Sequence, residues 1–313
     1  MTLPASEVPT TAPHPSGLRR WILRALRLIA IAYLGVCVVV FSIQNSYIFP
    51  GAAATQGQKD GSITQGSNDK LLALKTSGGT QIVALFGKAL HPDGTPLADV
   101  SHCPTIIYFY GNGACMAYST DVFEHFRRLG ANVIIPDYEG YGMSDGKPSE
   151  SGCYAAADVA YDYLLSRDDI DPKFIVPIGW SLGGAVAIDL ARRRPVAGLV
   201  TIAAFTNLRD MARRFISWLP MSLIMKYRFD NLSKLAEISC PILIVHGTDD
   251  ELIPFVMSDR LAAAAGGKVT RFNVAGAGHN DVLEVGDGEL LSKIEELLHS
   301  VRPTQQATRA ASP

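Results

Sequence analysis

The chain predicts an α/β fold, a mostly parallel sheet with helices on both faces. Three observations carry the prediction. Uninterrupted apolar runs, TIIYFY at 105–110 and ANVIIPDY at 131–138 among them, have the character of strands buried on both faces. Helical stretches fall between such runs, at the spacing that parallel crossovers need. The hydrophobic share, 48%, is enough to fill a buried sheet.

In chain order, LLALKT and TQIVALFG read as an opening pair of strands, followed by a turn-rich loop, HPDGTPLA, at 91–98. The 105–110 strand leads to a helix over 119–129, and the 131–138 strand to a helix over 149–166 with Ser149 as its N-cap. KFIVPIGW (173–180), VAGLVTIAA (196–204), PILIVHG (241–247) and KVTRFNVAG (268–276) supply further strands, and 289–301 closes the domain as a helix. The domain thus runs over 70–302, with a small lid at 206–240 between the fourth and fifth buried strands. The lid's apolar side chains (Phe215, Trp218, Leu223 and Tyr227 among them) are expected mostly to pack on the domain. The rest are left to line an acyl pocket or face a membrane.

The ends differ in character. Residues 1–17 and 303–313 are rich in Pro, Thr, Ala, Ser and Gln, without periodicity, and read as disordered tails. Residues 18–50 read as an uncleaved transmembrane signal anchor. Arg19, Arg20, Arg24 and Arg27 precede an apolar stretch, and no charged residue falls between Leu28 and Gln58. As a helix, Leu28 to Ile43 spans about 24 Å and Leu28 to Phe49 about 33 Å, against a hydrocarbon core of ~30 Å. Tyr33, Tyr47 and Phe49 are candidate interfacial aromatics. A cleaved signal peptide is the rival, but its small residues, Ala52 to Ala54, lie far beyond the apolar core. The arginines place the N-terminus in the cytoplasm and the domain outside it, periplasmic or lumenal. Residues 51–69 read as a polar, Gly-rich linker.

The formal net charge of −2 argues against a nucleic-acid partner. The five cysteines do not have zinc-site spacing. In an oxidising compartment Cys103–Cys115 and Cys115–Cys153 are pairings to consider beside unpaired thiols, Cys240 included.

GWSLG at 179–183 has the form G-x-S-x-G, a short pattern that chance also produces. Its context gives it weight. IVPI precedes it as a strand, and LGGAVAIDLARRR follows as a helix that stops before Pro195. That is the strand–turn–helix of a nucleophile elbow, with Ser181 as the nucleophile and Gly179 and Gly183 clearing the crossing. A serine hydroxyl needs a base. Of seven histidines, His279 in AGAGHND follows the last strand, lies C-terminal to Ser181 and suits the order Ser…acid…His. His14, His91, His102, His125, His246 and His299 are set in tail, loops, amphipathic helices or a strand end. VHGTDDELIP offers Asp249, Asp250 and Glu251 as the acid, and residue type alone does not choose among them. Asp137 precedes the serine and is expected to hold its own loop. YGNG at 110–113 ends an early strand in a Gly-rich turn able to aim a backbone N–H, that of Asn112 or Gly113, at an oxyanion. Asn112 is the preferred donor. The N–H of Leu182 is the other.

YGNG, DYEGYGMSDGKPSE, GWSLGG, CPILIVHGTDDELIP and AGAGHND, in this order behind an N-terminal anchor, resemble the membrane-anchored α/β-hydrolase domain-containing serine hydrolases. The resemblance covers about residues 45–300. It implies an α/β-hydrolase fold and a Ser181–Asp250–His279 triad, since the acid is the last position of H-G-x-x-D. It also implies acyl transfer to water without metal or organic cofactor. The family resembled includes lipid esterases, lysophospholipases, thioesterases and some peptidases, and the resemblance does not choose among them. The expected substrate is a carboxylic ester or thioester with an apolar acyl chain, presented at a membrane surface. Peptidase or amidase activity is the alternative, and a non-catalytic binding protein a more remote one. Two departures stand out. Tyr110 replaces the histidine of H-G-N and removes a side-chain support of the oxyanion loop. Glu139 replaces the arginine of D-Y-R-G-Y-G and reverses a charge near the site.

Overall fold

The computed structural model describes residues 16–55 and 69–302. They form two compact units, one ending at Ile43 and the other beginning at Gln44. The first unit holds most of α1 (Ser16–Ile48), a 33-residue helix long and apolar enough to cross a membrane. The tails over 1–15 and 303–313 and most of the expected linker, 56–68, lie outside the described residues.

The second unit is built on an eight-stranded sheet. Its strands are β1 (Asp69–Lys75), β2 (Gln81–Gly87), β3 (Thr105–Phe109), β4 (Asn132–Pro136), β5 (Ile175–Trp180), β6 (Leu199–Ile202), β7 (Ile242–Gly247) and β8 (Val269–Val274). Their order is β1-β2-β4-β3-β5-β6-β7-β8. β2 is antiparallel to both of its neighbours, and every pair from β4 to β8 is parallel. All residues of β3, β4, β6 and β7 are buried, in keeping with their predominantly apolar runs. Each Ile or Val side chain so placed contributes about 1.5–3 kcal/mol of hydrophobic stabilisation.

The helices follow the predicted alternation. They are α2 (Pro50–Thr55), α3 (Thr120–Arg128), α4 (Glu150–Leu165), α5 (Leu182–Arg193), α6 (Leu208–Phe215), α7 (Met221–Ile224), α8 (Asn231–Leu235), α9 (Val256–Ala264) and α10 (Val282–Ser300). Ser149 caps α4, its Oγ accepting from the Gly152 N–H at 2.9 Å. The segment 206–240, expected as a lid, carries the short helices α6, α7 and α8. The backbone of α10 leaves helical geometry at Asp287, so its regular part matches the helix expected over 289–301.

Two expectations for the N-terminal region are corrected. Residues 51–55, expected as the start of a linker, belong to α2. Gly51, Ala52 and Thr55 are buried because their small side chains let α2 sit against the 111–113 turn and Tyr141. Phe49 is 1% exposed, which rules it out as an interfacial aromatic. Its ring meets Tyr141, Tyr227 and Phe229 edge-on, joining residue 49 to the domain core. Tyr47 is exposed. All five cysteines are free thiols, and burial raises the pKa of the Cys115 and Cys153 thiols.

Candidate active site

Ser181 sits between β5 and α5 with φ 55° and ψ −114°, a left-handed conformation that costs a non-glycine residue about 1–3 kcal/mol. The surrounding structure holds it there. Its N–H donates to Ile202 O at 2.8 Å, and its carbonyl accepts from the Gly184 N–H at 3.0 Å. The two elbow glycines have a steric reason. A Cβ on Gly179 would lie 2.1 Å from Gly183 O, and one on Gly183 would lie 1.9 Å from Phe109 O. The hydroxyl therefore stands at the N-terminus of α5, the positive end of a 12-residue helix.

The loop after β8 brings His279 to it. His279 Nε2 lies 3.0 Å from Ser181 Oγ, and His279 Nδ1 lies 2.8 Å from Asp250 Oδ2. The three candidate acids of the loop after β7 are thereby separated. Asp250 is buried and meets the imidazole, whereas Asp249 and Glu251 are exposed and Asp249 accepts from Thr248 Oγ1. Asp250 Oδ1 accepts from the N–H groups of Leu252 (3.0 Å) and Ile253 (2.7 Å). Burial by itself would raise the Asp250 pKa. Hydrogen bonds from His246, His279 and the Ile253 N–H outweigh that and hold the carboxyl well below the usual carboxylate range.

His246 is a partner that sequence reasoning passed over. Its Nε2 lies 3.3 Å from Asp250 Oδ2 and 2.8 Å from Ile253 O, so Nε2–H is the donor between two acceptors. Its place four residues before Asp250, in H-G-x-x-D, was the available signal. Trp180 was also missed; its ring stacks on His279 with centroids 6.1 Å apart.

The 111–113 turn lies against the serine, since a Cβ on Gly111 would be 3.5 Å from Ser181 Cβ. The backbone N–H groups of Asn112 and Leu182 donate to no backbone acceptor among the described residues. Asn112 is held from two sides. Its carbonyl accepts from the Gly51 N–H at 3.0 Å and from Tyr141 Oη at 3.2 Å, and its side-chain Nδ2 donates to Ile48 O at 3.2 Å. Residues 48–51, which the sequence presented as the end of an anchor and the start of a linker, thus brace this turn.

Tyr110 does not leave the turn unsupported. Its hydroxyl donates to Asp137 Oδ1 at 2.9 Å and accepts from the Tyr138 N–H at 3.1 Å, and its carbonyl accepts from Tyr138 Oη at 2.8 Å. Asp137 also receives the Met116 N–H (2.7 Å) and the Met143 N–H (3.0 Å), which makes it a buried organiser of two loops. Burial pushes its pKa up to about 6, against the lowering effect of those hydrogen bonds. Glu139 packs beside Gly146 and Gly152, at the first turn of α4. Among the described residues no cluster of His, Cys, Asp and Glu has the arrangement of a metal site.

A parallel sheet with a strained serine at the β5–α5 turn, a histidine after the last strand and an acid after β7 is the arrangement of an α/β hydrolase. The chain belongs to the α/β hydrolase family. The family model described as "Alpha/beta hydrolase family" matches residues 109–226. The chain is 32% identical over 216 residues to alpha/beta hydrolase domain-containing protein 17B of Xenopus laevis, covering 66% of this chain and 68% of that protein. It is 31% identical over 272 residues to the uncharacterized protein Rv2307c of Mycobacterium tuberculosis, covering 86% and 92%. The fold is similar to that of an α/β hydrolase from Vibrio vulnificus, with TM-score 0.62 and 19% identity over 83% of this chain and 92% of that one. The Pyrococcus furiosus esterase Pf2001 gives TM-score 0.60 and 18% identity over 76% and 92%.

Proposed function

We propose that the chain is a membrane-anchored serine hydrolase that cleaves carboxylic esters with apolar acyl chains, presented at a membrane surface. The observation that carries this is the continuous Ser181–His279–Asp250 contact, 3.0 and 2.8 Å, at a serine held with positive φ. Ser181 Oγ attacks the ester carbonyl while His279 Nε2 accepts its proton. Asp250 fixes the tautomer with the proton on Nδ1 and stabilises the imidazolium as it forms. The N–H groups of Asn112 and Leu182 donate to the oxyanion. His279 returns the proton to the departing alcohol, and water then repeats the sequence on the acyl-enzyme. None of these steps calls for a metal or an organic cofactor.

An activity-based fluorophosphonate probe tests the reading. Wild-type protein becomes labelled and Ser181→Ala does not. Equal labelling of both, or of neither, refutes it.

The membrane attachment is part of the proposal. Gln44 to Thr55 belong to the catalytic unit, so cleavage after Ala54 would remove Phe49 from its core and Gly51 from Asn112. This supports α1 as an uncleaved anchor rather than a signal peptide. Arg19, Arg20, Arg24 and Arg27 then keep the N-terminus cytoplasmic and the catalytic unit outside. Protease added to sealed vesicles with the cytoplasmic side outward spares the catalytic unit; its digestion there would reverse the orientation.

A further inference from the structure

The lid presents an apolar and basic surface that the catalytic reading leaves unused. Phe215 at the end of α6 is 64% exposed, Trp218 between α6 and α7 61%, and Leu223 on α7 83%. Residues 211–229 contain Arg213, Arg214, Lys226 and Arg228 but neither Asp nor Glu. All four basic side chains are exposed. Exposed large apolar side chains interspersed with exposed cations, with a tryptophan among them, are the composition of a segment lying in the headgroup region of a bilayer.

The fold also fixes where this surface lies along the chain's path out of the membrane. Gln44 follows directly on Ile43, the last residue of the apolar stretch. Gln44 Nε2 donates to Ile224 O at 3.3 Å, and Gln44 Oε1 accepts from the Lys226 N–H at 2.8 Å. Asn45 Oδ1 accepts from Tyr227 Oη at 2.9 Å. Three hydrogen bonds thus tie the lid to the two polar residues at which an anchor helix would leave the hydrocarbon. Leu223 is the immediate neighbour of Ile224, so its exposed side chain belongs to the segment tied to Gln44 and Asn45. A second link widens the surface. Arg214 Nη2 donates to Glu251 O at 3.4 Å, which sets the end of α6 beside a loop whose Leu252 is exposed and which leads to the exposed Val256 at the start of α9. That loop carries Asp250.

We infer that the lid segment 213–228 docks onto the anionic lipid surface of the bilayer that holds the anchor, with Phe215, Trp218 and Leu223 inserted among the headgroups and the four basic side chains on lipid phosphates. The inference rests on the proposed anchored serine hydrolase and adds to it how substrate arrives: an ester resident in the same leaflet reaches Ser181 without crossing water.

The test uses the full chain in proteoliposomes of phosphatidylcholine and phosphatidylglycerol. In a Ser181→Ala background, emission is recorded with and without lipids brominated near the glycerol end of their chains. The same is done after Trp218→Phe, and the difference isolates Trp218 from Trp21 and Trp180. The expected result is that bromolipid quenches the Trp218 component by half or more, and that quenching weakens in pure phosphatidylcholine. An unquenched Trp218 overturns the docking, and equal quenching in both lipid mixtures overturns its dependence on anionic lipid. Activity provides a second readout. In the active enzyme, Trp218→Ser with Leu223→Ser raises KM for a long-chain ester in the vesicles about tenfold and leaves kcat/KM for a short soluble ester unchanged. Equal effects on both esters overturn the proposed route of substrate entry. Because quenching is read in Ser181→Ala, the surface is judged separately from the hydrolase reading, which the short ester judges.

Discussion

Asp250→Asn is expected to lower kcat on the order of 10³–10⁴-fold, while Asp249→Asn changes it by no more than a few-fold. The reason is a proton location. Asp250 Oδ1 is committed to the Leu252 and Ile253 N–H groups, which leaves Oδ2 for His279 Nδ1. An asparagine has one acceptor oxygen, and those two N–H donors claim it. Its NH₂ group then faces His279 Nδ1, which must become an acceptor. The ring proton moves to Nε2, the atom that faces Ser181 Oγ at 3.0 Å, and the imidazole can no longer take the serine's proton. The same NH₂ group also meets Nε2–H of His246, a second clash of donors. Asp249 is exposed and accepts from Thr248, away from the imidazole. Steady-state kinetics on a short ester, with thermal stability measured in parallel, decide the matter. The opposite ranking of the two variants would remove Asp250 from the proposed triad.

Gly51→Ala is the second large effect, and it arises outside the recognisable motifs. A Cβ at position 51 would lie 2.5 Å from Asn112 O, 2.9 Å from Tyr141 Cε1 and 3.0 Å from the Gly113 carbonyl carbon. None of these is the free end of a flexible chain, so the 111–113 turn must move. The Asn112 N–H moves with it, although its proposed partner is an oxyanion whose position Ser181 fixes. Losing one such donor costs about 10²–10³-fold in kcat. The expected result is a fall of that size with KM for a short ester little changed. Ala53→Ser, at an exposed position on the same short helix, leaves kcat within about twofold. A Gly51→Ala enzyme with wild-type kcat would show that residues 48–51 do not position the turn.

The two variants probe different kinds of information. Asp250 lies in a motif whose position in the chain points to a task, and only the choice among neighbouring acids had to wait for geometry. Gly51 lies in a Gly- and Ala-rich stretch that reads as linker, because small residues give no periodic signal. Its burial becomes visible only when Asn112 and Tyr141 are placed against it. Phe49 behaves in the same way. Beside an apolar helix an aromatic residue reads as interfacial, and its burial follows from Tyr141, Tyr227 and Phe229, far away in the chain. Tyr110 was read as a lost support, whereas its hydroxyl builds a different one with Asp137 and Tyr138.

The sequence by itself determined the succession of strands and helices, the elbow at Ser181 and the candidacy of His279. Those features depend on local causes: apolar runs of strand length, helix caps, glycines beside a strained turn and order along the chain. The tertiary structure decided which carboxylate meets His279, how His246 shares it and what braces Asn112. It also decided that the chain following the apolar N-terminal helix belongs to the same compact unit as Ser181. Each of these is a contact between segments remote in sequence, where shape and hydrogen-bond geometry choose among residues that look alike as letters.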